Sequence, residues 1–179
     1  ENISFYPGNF GSYYYETSGG VVGVETRKTK DDRWQGKLDL NIFEGGFLFE
    51  GPVRENLSLG FAFHRNWHDL VLKAVIPEDA PISFLVAPRY YDYQFKLNYK
   101  ANDKHNLEAF IFGSDDKMKL LVGKNESTGI NFSLGVSFHI ISLKHEWKIS
   151  DKLLYTFEPV LGFSITEQII GDENYLKVD

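Results

Sequence analysis

The sequence predicts an all-β chain whose antiparallel strands cross a lipid bilayer, and three features support this prediction. Apolar and polar residues alternate in recurring segments, aromatic residues make up 16% of the chain, and short and long connections alternate. A period of two is typical of a strand with one apolar and one polar face. A tilted strand needs roughly 9–11 residues to cross a bilayer. Recurring segments of that length predict a transmembrane β-barrel.

The clearest predicted strand is Tyr91–Lys100, in which the alternation has no exception. Its odd-numbered positions hold Tyr, Tyr, Phe, Leu and Tyr, and its even-numbered positions hold Asp, Gln, Lys, Asn and Lys. This segment has the length that a bilayer-crossing strand requires, about ten residues.

Composition excludes several other classes of protein. The length of 179 residues fits one ordinary domain. A net charge of −6 argues against a nucleic-acid partner, which would require a basic surface. The absence of cysteine excludes a disulfide scaffold and thiolate metal sites. No run approaches the ~18 consecutive apolar residues of a membrane helix.

Seven strands are predicted between residues 31 and 179, the part of the chain that we expect to form the barrel. Their ranges are 34–43, 47–53, 57–70, 89–100, 107–114, 129–149 and 153–170. The alternation slips at Ile140-Ile141, which predicts a β-bulge. Outer-membrane barrels place short turns on the periplasmic side and long loops outside. The long connections 72–88 and 115–128 are therefore expected outside.

Residues 1–30 have a different character. They are rich in glycine and turn signals, and they end in a short predicted strand, Val21–Thr26. The charged run Arg27–Arg33 reads as a linker. Single-chain bacterial barrels have an even number of strands. Either residues 21–28 add an eighth strand, or the seven strands belong to a larger barrel.

Several motifs resemble one family, the TonB-dependent outer-membrane receptors. Tyr6–Phe10 (YPGNF) and Ser18–Arg27 (SGGVVGVETR) resemble the end of that family's plug domain. Glu50–Val53 (EGPV) resembles the end of barrel strand two, and Pro88–Tyr93 (PRYYDY) resembles the start of strand four. Phe112–Asp116 (FGSDD) is similar to a Gly-x-Asp motif at strand five.

The resemblance implies a barrel of about 22 strands around a plug. On that basis residues 1–30 are the C-terminal end of the plug domain, and residues 31–179 hold about seven N-terminal barrel strands. The implied function is energy-coupled uptake of a scarce nutrient such as a siderophore, cobalamin, a glycan or a peptide. The implied location is the bacterial outer membrane. The implied partners are outer-membrane lipid, an inner-membrane TonB-type energy-transducing complex and the remainder of the barrel.

No catalytic residue, cofactor or metal is predicted. The sequence lacks a nucleophile elbow, a phosphate loop and a zinc-helix motif. His64 and His68 are four residues apart, which on a strand separates them by roughly 13 Å and disfavours a shared metal. The acid–base candidates Asp115, Asp116, Asp103 and His105 are interpreted as solvated turn residues at opposite ends of the barrel.

The remaining polar and aromatic candidates are assigned to the barrel wall. Trp34, Trp67 and Trp147 are predicted to lie in the aromatic girdles at the membrane interfaces. A lumen-facing set is predicted to contact the plug, with substrate contact as the alternative: Lys37, Asp39, Asp92, Gln94, Lys96 and Asn98. Arg89 and Tyr90 are the candidates for substrate binding.

Two other functions remain open at this stage. The first is a small eight-stranded outer-membrane barrel with a structural or adhesive role, which would use residues 21–28 as a strand. The second is a soluble β-sandwich or lectin-like binding module. The solubility of the folded protein without detergent separates the sandwich from both membrane alternatives.

Overall fold

The computed structural model describes residues 2–8, 11, 19–75, 82–122 and 130–171, which form ten β-strands and one short α-helix. Every strand pair is antiparallel, so the prediction of an all-β antiparallel chain is confirmed. The elements are β1 (Asn2–Tyr6), β2 (Val21–Glu25), β3 (Gln35–Leu40), β4 (Glu44–Arg54), β5 (Leu57–Asn66), α1 (His68–Val75), β6 (Ile82–Lys100), β7 (His105–Val122), β8 (Ile130–Ser150), β9 (Leu153–Phe157) and β10 (Val160–Ile170).

The main sheet has eight strands in the order β10-β8-β7-β6-β5-β4-β3, with β9 also paired to β8. Because β9 and β10 pair with different parts of β8, the sheet is seven strand positions wide. With β9 and β10 counted as one strand position, each strand lies beside its neighbour in sequence, as in a meander. Among the described residues the sheet is open, and β3 and β10 form its two edges.

The two faces of this sheet differ sharply in chemistry. Cross-strand partners share a face, so the registers place one row of Phe49, Phe61, Phe95, Ile111, Ile141 and Leu161 on what we call the apolar face. The neighbouring row of Glu50, Gly60, Lys96, Phe110 and Ser142 belongs to the polar face. Apolar side chains remain exposed on the first face: Leu38 is 69% exposed and Leu161 is 56% exposed.

The apolar face forms a band of limited height. On β6 it extends from Tyr91 to Tyr99, a distance of roughly 26 Å along the strand. The apolar band of outer-membrane barrels is of the same order, about 25 Å tall. However, β6, β7 and β8 have 19, 18 and 21 residues, so they continue well beyond this band.

The end of the third predicted strand was wrong. β5 ends at Asn66, and residues 68–70 begin helix α1. Asn66 is fully buried, at 0% exposure, and it holds this junction together. Its side chain accepts a hydrogen bond from the Tyr90 backbone N–H at 2.8 Å, donates to the Pro88 carbonyl at 3.2 Å and contacts His68 Nδ1. An anchor shared by two strands and a helix cannot be seen in a local pattern.

Several other strand limits were also wrong. β4 includes Gly45 and Gly46, which were expected in a turn, and at Gly45 the missing side chain leaves room for the Trp67 indole ring. β6 begins at Ile82 rather than at residue 89, and β7 continues to Val122 rather than ending at residue 114. The extension of β7 lies between β6 and β8, which satisfy its backbone from both sides despite its charged residues. Residues 76–81 and 123–128 of the predicted loops, and residue 129 of the sixth predicted strand, lie outside the described residues.

The predicted β-bulge at Ile140-Ile141 is also wrong. β8 keeps an unbroken register with β7 and β10 through both residues. The slip in the alternation instead marks the point along β8 where the residue types on its two faces exchange, although the faces themselves continue. Beyond the apolar band, Phe138, Val136 and Leu134 continue the polar face, whereas Ser137 and Gly135 continue the apolar face. The pattern therefore inverts without any extra residue.

The last predicted strand, 153–170, is confirmed in position but is interrupted. β9 ends at Phe157 and β10 begins at Val160, and both pair with β8. Pro159 lacks an N–H group and lies in the interruption, where its carbonyl accepts a hydrogen bond from Leu143 N–H at 3.2 Å.

The predicted strand Val21–Thr26 corresponds to β2, but its partner β1 was missed. β1 and β2 form a separate two-stranded sheet, in which Asn2 pairs with Glu25 and Tyr6 pairs with Val21. Residues 21–25 therefore do not add an eighth strand to the main sheet. This pairing removes the strand on which the small-barrel alternative depended.

Short turns connect the strands at one end of the main sheet, at residues 55–56, 101–104 and 151–152. We call this the short-turn end. In the second of these turns Lys100 Nζ lies 2.9 Å from Asp103, and this hydrogen bond, with the attraction of the two charges, holds the pKa of Asp103 below its usual value. In the described part of the chain, no helix has the length and apolar character needed to span a membrane.

Candidate functional site: a clasp on the polar face

The best-defined polar site lies where the chain leaves β2 and passes over the polar face of the main sheet. Residues Thr26–Lys30 have no regular secondary structure, but they bind side chains of β4, β5 and β6. We call this set of contacts the clasp. It joins Thr26, Arg27, Thr29 and Lys30 of the segment to Glu50, Ser58, Lys96 and Asn98 of the sheet.

Glu50 is the acceptor at one side of the clasp. Its carboxylate accepts two hydrogen bonds from the Arg27 guanidinium, at 2.8 and 2.6 Å. It also accepts one from the Lys30 backbone N–H at 3.2 Å and one from the Gln35 amide at 3.3 Å. Glu50 is only 3% exposed. A buried carboxylate is stable when it is paired and its lone pairs are satisfied, and these four donors meet that need.

Lys96 is the donor at the other side. Its ammonium group lies 2.8 Å from Thr26 Oγ1, 3.1 Å from the Arg27 carbonyl and 3.2 Å from Glu108 Oε1. The same nitrogen lies 5.8 Å from the centre of the Phe110 ring. Lys96 is 8% exposed, so its charge is compensated almost entirely by protein groups. One buried cation therefore binds both the passing segment and strand β7.

Thr29 closes the centre of the clasp. Its hydroxyl lies 2.7 Å from Ser58 Oγ and accepts a hydrogen bond from the Asn98 amide at 2.6 Å. Gly60 makes this approach possible, because a Cβ at that position would lie 2.7 Å from the Thr29 methyl group. The absence of a side chain at Gly60 thus creates the space that the segment occupies.

A cavity of about 350 Å³ adjoins the clasp on the polar face. Its lining combines clasp residues with the next positions along the strands: Thr26, Arg27, Lys37, Leu48, Ala62, His64, Asp92, Gln94, Lys96 and Phe110. It presents charges of both signs beside apolar carbons. Such a surface suits a polar peptide or a polar small molecule with an apolar part.

A second polar cluster lies on the same face, further from the short-turn end. His64 Nδ1 is 3.2 Å from Asp92 Oδ2, and His64 Nε2 is 3.5 Å from Glu44 Oε2. The Tyr90 hydroxyl donates to Glu44 at 2.8 Å. The residues that the structure describes contain no group of three or more potential ligands arranged to hold a metal ion.

The predicted lumen-facing set does share one face, but only part of it contacts the N-terminal segment. Lys96 and Asn98 belong to the clasp. Lys37 and Asp39 instead pair with each other at 2.7 Å and are largely exposed. Sequence reasoning missed Glu50 and Ser58, which the structure buries. A usable signal was that both are polar residues beside apolar ones within predicted strands.

The two predicted substrate residues, Arg89 and Tyr90, are adjacent on β6 and therefore point to opposite faces of the sheet. Tyr90 lies on the polar face with Glu44. Arg89 pairs in register with Lys117, and its buried Nε has no hydrogen-bond partner within the described ranges. They do not form one site, so their joint role in substrate binding stays a prediction without structural support.

The other candidate groups are dispersed. His68 belongs to α1 and not to the strand of His64. Asp115 and Asp116 lie within β7 rather than in a turn, which corrects the expectation of turn residues. Asp103 and His105 lie at the short-turn end, far along the strand from that acidic pair, as predicted. The described residues thus bring no acid–base pair together in these groups.

The tryptophans lie near the ends of the apolar face. Trp34 and Trp147 are 46% and 40% exposed and lie toward the short-turn end. Trp34 stacks on Phe49, with ring centres 4.7 Å apart. Trp67 lies at the opposite end, where its indole N–H donates to the Asn41 carbonyl at 3.2 Å. Their positions fit the predicted girdles, while contact with lipid stays a prediction.

Comparisons of the chain with protein-family models, with curated proteins and with solved structures found no match.

Proposed function

We propose that this chain is part of an outer-membrane receptor of the TonB-dependent type, in which residues 1–30 end a plug domain and residues 31–179 form barrel strands. One observation carries the proposal. A segment that follows the small N-terminal sheet is bound by buried charges to the polar face of a wide antiparallel sheet whose opposite face is apolar. A plugged barrel requires that combination, with lipid outside and a polar partner inside.

The apolar face supports a membrane location. Exposing apolar surface to water costs about 25 cal/mol of free energy per Å². This face carries exposed phenylalanine, leucine and isoleucine side chains on β3, β4, β8, β9 and β10. Tyrosine marks both ends of the band on β6, at Tyr91 and Tyr99. Aromatic residues at both limits of an apolar band are typical of the two interfaces of a bilayer.

The open edges support membership of a larger barrel. In hydrocarbon each unsatisfied backbone group costs several kcal/mol, so transmembrane sheets close on themselves. β3 and β10 are the edges of the described sheet, and a closed barrel would pair both with further strands. The transport function follows from the resemblance in the motifs. The cargo would be a scarce nutrient, and an inner-membrane TonB-type complex would supply the energy through the plug.

Single cysteines test the membrane placement, because the chain has no cysteine of its own. In the intact protein, expressed in a Gram-negative host, each position from 91 to 100 is replaced in turn and carries a nitroxide label. We expect collisions with oxygen, which concentrates in lipid, to peak at odd positions such as Phe95. Labels at the even-numbered positions on the opposite face, such as Gln94, should collide little with oxygen. Recovery of the folded protein in aqueous buffer without detergent would contradict the proposal.

Transport requires a separate test. Uptake of labelled ferric siderophores, cobalamin, oligosaccharides and peptides is compared in cells with and without the gene. One of these cargoes should enter only when the gene is present, and a protonophore that dissipates the proton gradient should abolish its entry. Uptake that persists under the protonophore would exclude energy coupling while leaving the barrel assignment intact.

A further inference from the structure

An apolar groove of about 550 Å³ opens on the apolar face near the short-turn end. Its walls come from β5 to β9 and from the break before β10: Leu57, Leu97, Ala109, Leu143, Phe157 and Pro159. The cause of the groove can be read from the register. Ala109 lies between Leu97 and Leu143 in one cross-strand row, so a small side chain separates two large ones. The interruption at Pro159 widens the far side.

A pair of histidines lies at the end of this groove. His145 lines the groove, and its Nε2 lies 3.0 Å from Nδ1 of His105. The two rings stack with centres 5.3 Å apart, and His105 also stacks on Trp147 at 5.6 Å. The hydrogen bond uses one nitrogen of each ring. Within the described part of the chain, the other two nitrogens, His105 Nε2 and His145 Nδ1, are not used in this bond and can serve a ligand.

We propose that this groove binds one phospholipid, with an acyl chain in the apolar trough and the phosphate at the histidine pair. The proposal rests on the proposed function, because it places this face in a bilayer. A trough of apolar side chains that ends at two imidazole groups is complementary to an amphiphile, which has an apolar chain and a polar head. An imidazole N–H can donate a hydrogen bond to a phosphate oxygen.

The position of the groove selects the lipid. It lies at the short-turn end, which faces the periplasm in the proposed orientation. The lipid of that leaflet is phospholipid. A second copy of this chain is the rival occupant, and it would have to insert a convex apolar side chain into the concavity while leaving the two imidazole nitrogens unused.

Native mass spectrometry tests the proposal on the intact protein, purified in mild detergent, stripped of lipid and reloaded with palmitoyl-oleoyl-phosphatidylethanolamine. Ala109→Phe fills the groove, and Leu161→Phe adds a ring on the same face but outside it. We expect Ala109→Phe to weaken lipid retention by about tenfold or more, a factor that corresponds to about 1.4 kcal/mol. Leu161→Phe should retain lipid like the parent. Unchanged retention in Ala109→Phe would overturn the site.

A second comparison tests the role of the histidines. The double variant His105→Ala and His145→Ala should lose phosphatidylethanolamine but keep dioleoylglycerol, which has acyl chains and no phosphate. Equal loss of both lipids would overturn the assignment of the phosphate. A dimer that Ala109→Phe dissociates would overturn the lipid site in favour of a second copy. Protein that stays in water without detergent would overturn the proposed function as well, so the two failures are distinguishable.

Discussion

Replacing Lys96 with methionine tests whether the clasp holds the N-terminal segment on the polar face. The substitution removes the ammonium group and keeps an unbranched side chain that still fills the space. In the native protein this nitrogen donates to Thr26 Oγ1 at 2.8 Å and to the Arg27 carbonyl at 3.1 Å. Both bonds are lost in the variant, and Glu108 loses its partner.

The expected magnitude follows from these contacts. A hydrogen bond to a charged group contributes about 1.5–3 kcal/mol. Two such bonds at the lower limit of this range contribute about 3 kcal/mol. In the variant Glu108 has lost its ion-pair partner, so hydration of its carboxylate also favours detachment of the segment. Since about 1.4 kcal/mol corresponds to a factor of ten, detachment of residues 26–30 should become about 100-fold more frequent.

Hydrogen exchange measures this detachment directly, because amide protons exchange when their segment opens. The backbone N–H of Lys30 lies in the segment and is bonded to Glu50. From the loss of about 3 kcal/mol, we expect this N–H to exchange about 100-fold faster in Lys96→Met than in the native protein. Lys37→Met is the matched control, because Lys37 is 72% exposed and, among the described residues, forms its ion pair with exposed Asp39. Exposed ion pairs contribute about 0–1 kcal/mol. Equal exchange in the two variants would refute the clasp.

Three further predictions concern the sheet itself. Gly113→Val places a Cβ 2.5 and 2.7 Å from two ring side chains, so it should destabilise the protein by about 1–3 kcal/mol in urea unfolding; Gly162→Val, with nothing within 4 Å, is the control and should stay near parent stability. Asn66→Ala should cost about 2–4 kcal/mol, because it leaves two part-buried backbone groups of β6 without their hydrogen-bond partner, and an unchanged melting temperature would contradict its role as anchor. Phe95→Lys should cost about 2–4 kcal/mol for insertion into lipid vesicles, whereas lysine at residue 94 should insert normally; equal insertion would contradict the assignment of the faces.

The strand positions and their order could be predicted because alternation is a local property. In Tyr91–Lys100 the alternation of apolar and polar residues assigns each side chain to one face of a strand. The structure places this segment in β6, as expected. The limits of the strands were harder. The segment Asp115–Lys119 is charged and reads as a loop, yet β6 and β8 satisfy its backbone from both sides. The polarity of a segment indicates the surroundings of its side chains. Whether its backbone pairs as a strand depends on other strands that are distant in sequence.

The false bulge at Ile140-Ile141 has the same origin. A period-two pattern can slip because a residue is inserted or because the surroundings of both faces change along the strand. The register shows the second cause, since Ile140 pairs with Phe112 and Ile141 pairs with Ile111 without a gap. Under the proposed function, a strand that is longer than the bilayer is thick would leave the bilayer, and its faces would not need to keep the same polarity there.

The clasp shows most clearly what a pattern omits. Lys96 and Asn98 were recognised as polar-face residues, but their partners lie about 70 positions earlier in the chain, at separations of 70 and 69 residues. The alternation of β6 indicates only that these side chains lie on the face opposite the apolar one. It does not distinguish a charge that faces water from one that is buried under another segment. That distinction depends on Gly60, two strand positions from Ser58, where a missing side chain admits Thr29 to the sheet surface. The space at Gly60 therefore helps the segment that covers Glu50 and Lys96 to approach the sheet, and the polar face binds the chain's own N-terminal segment.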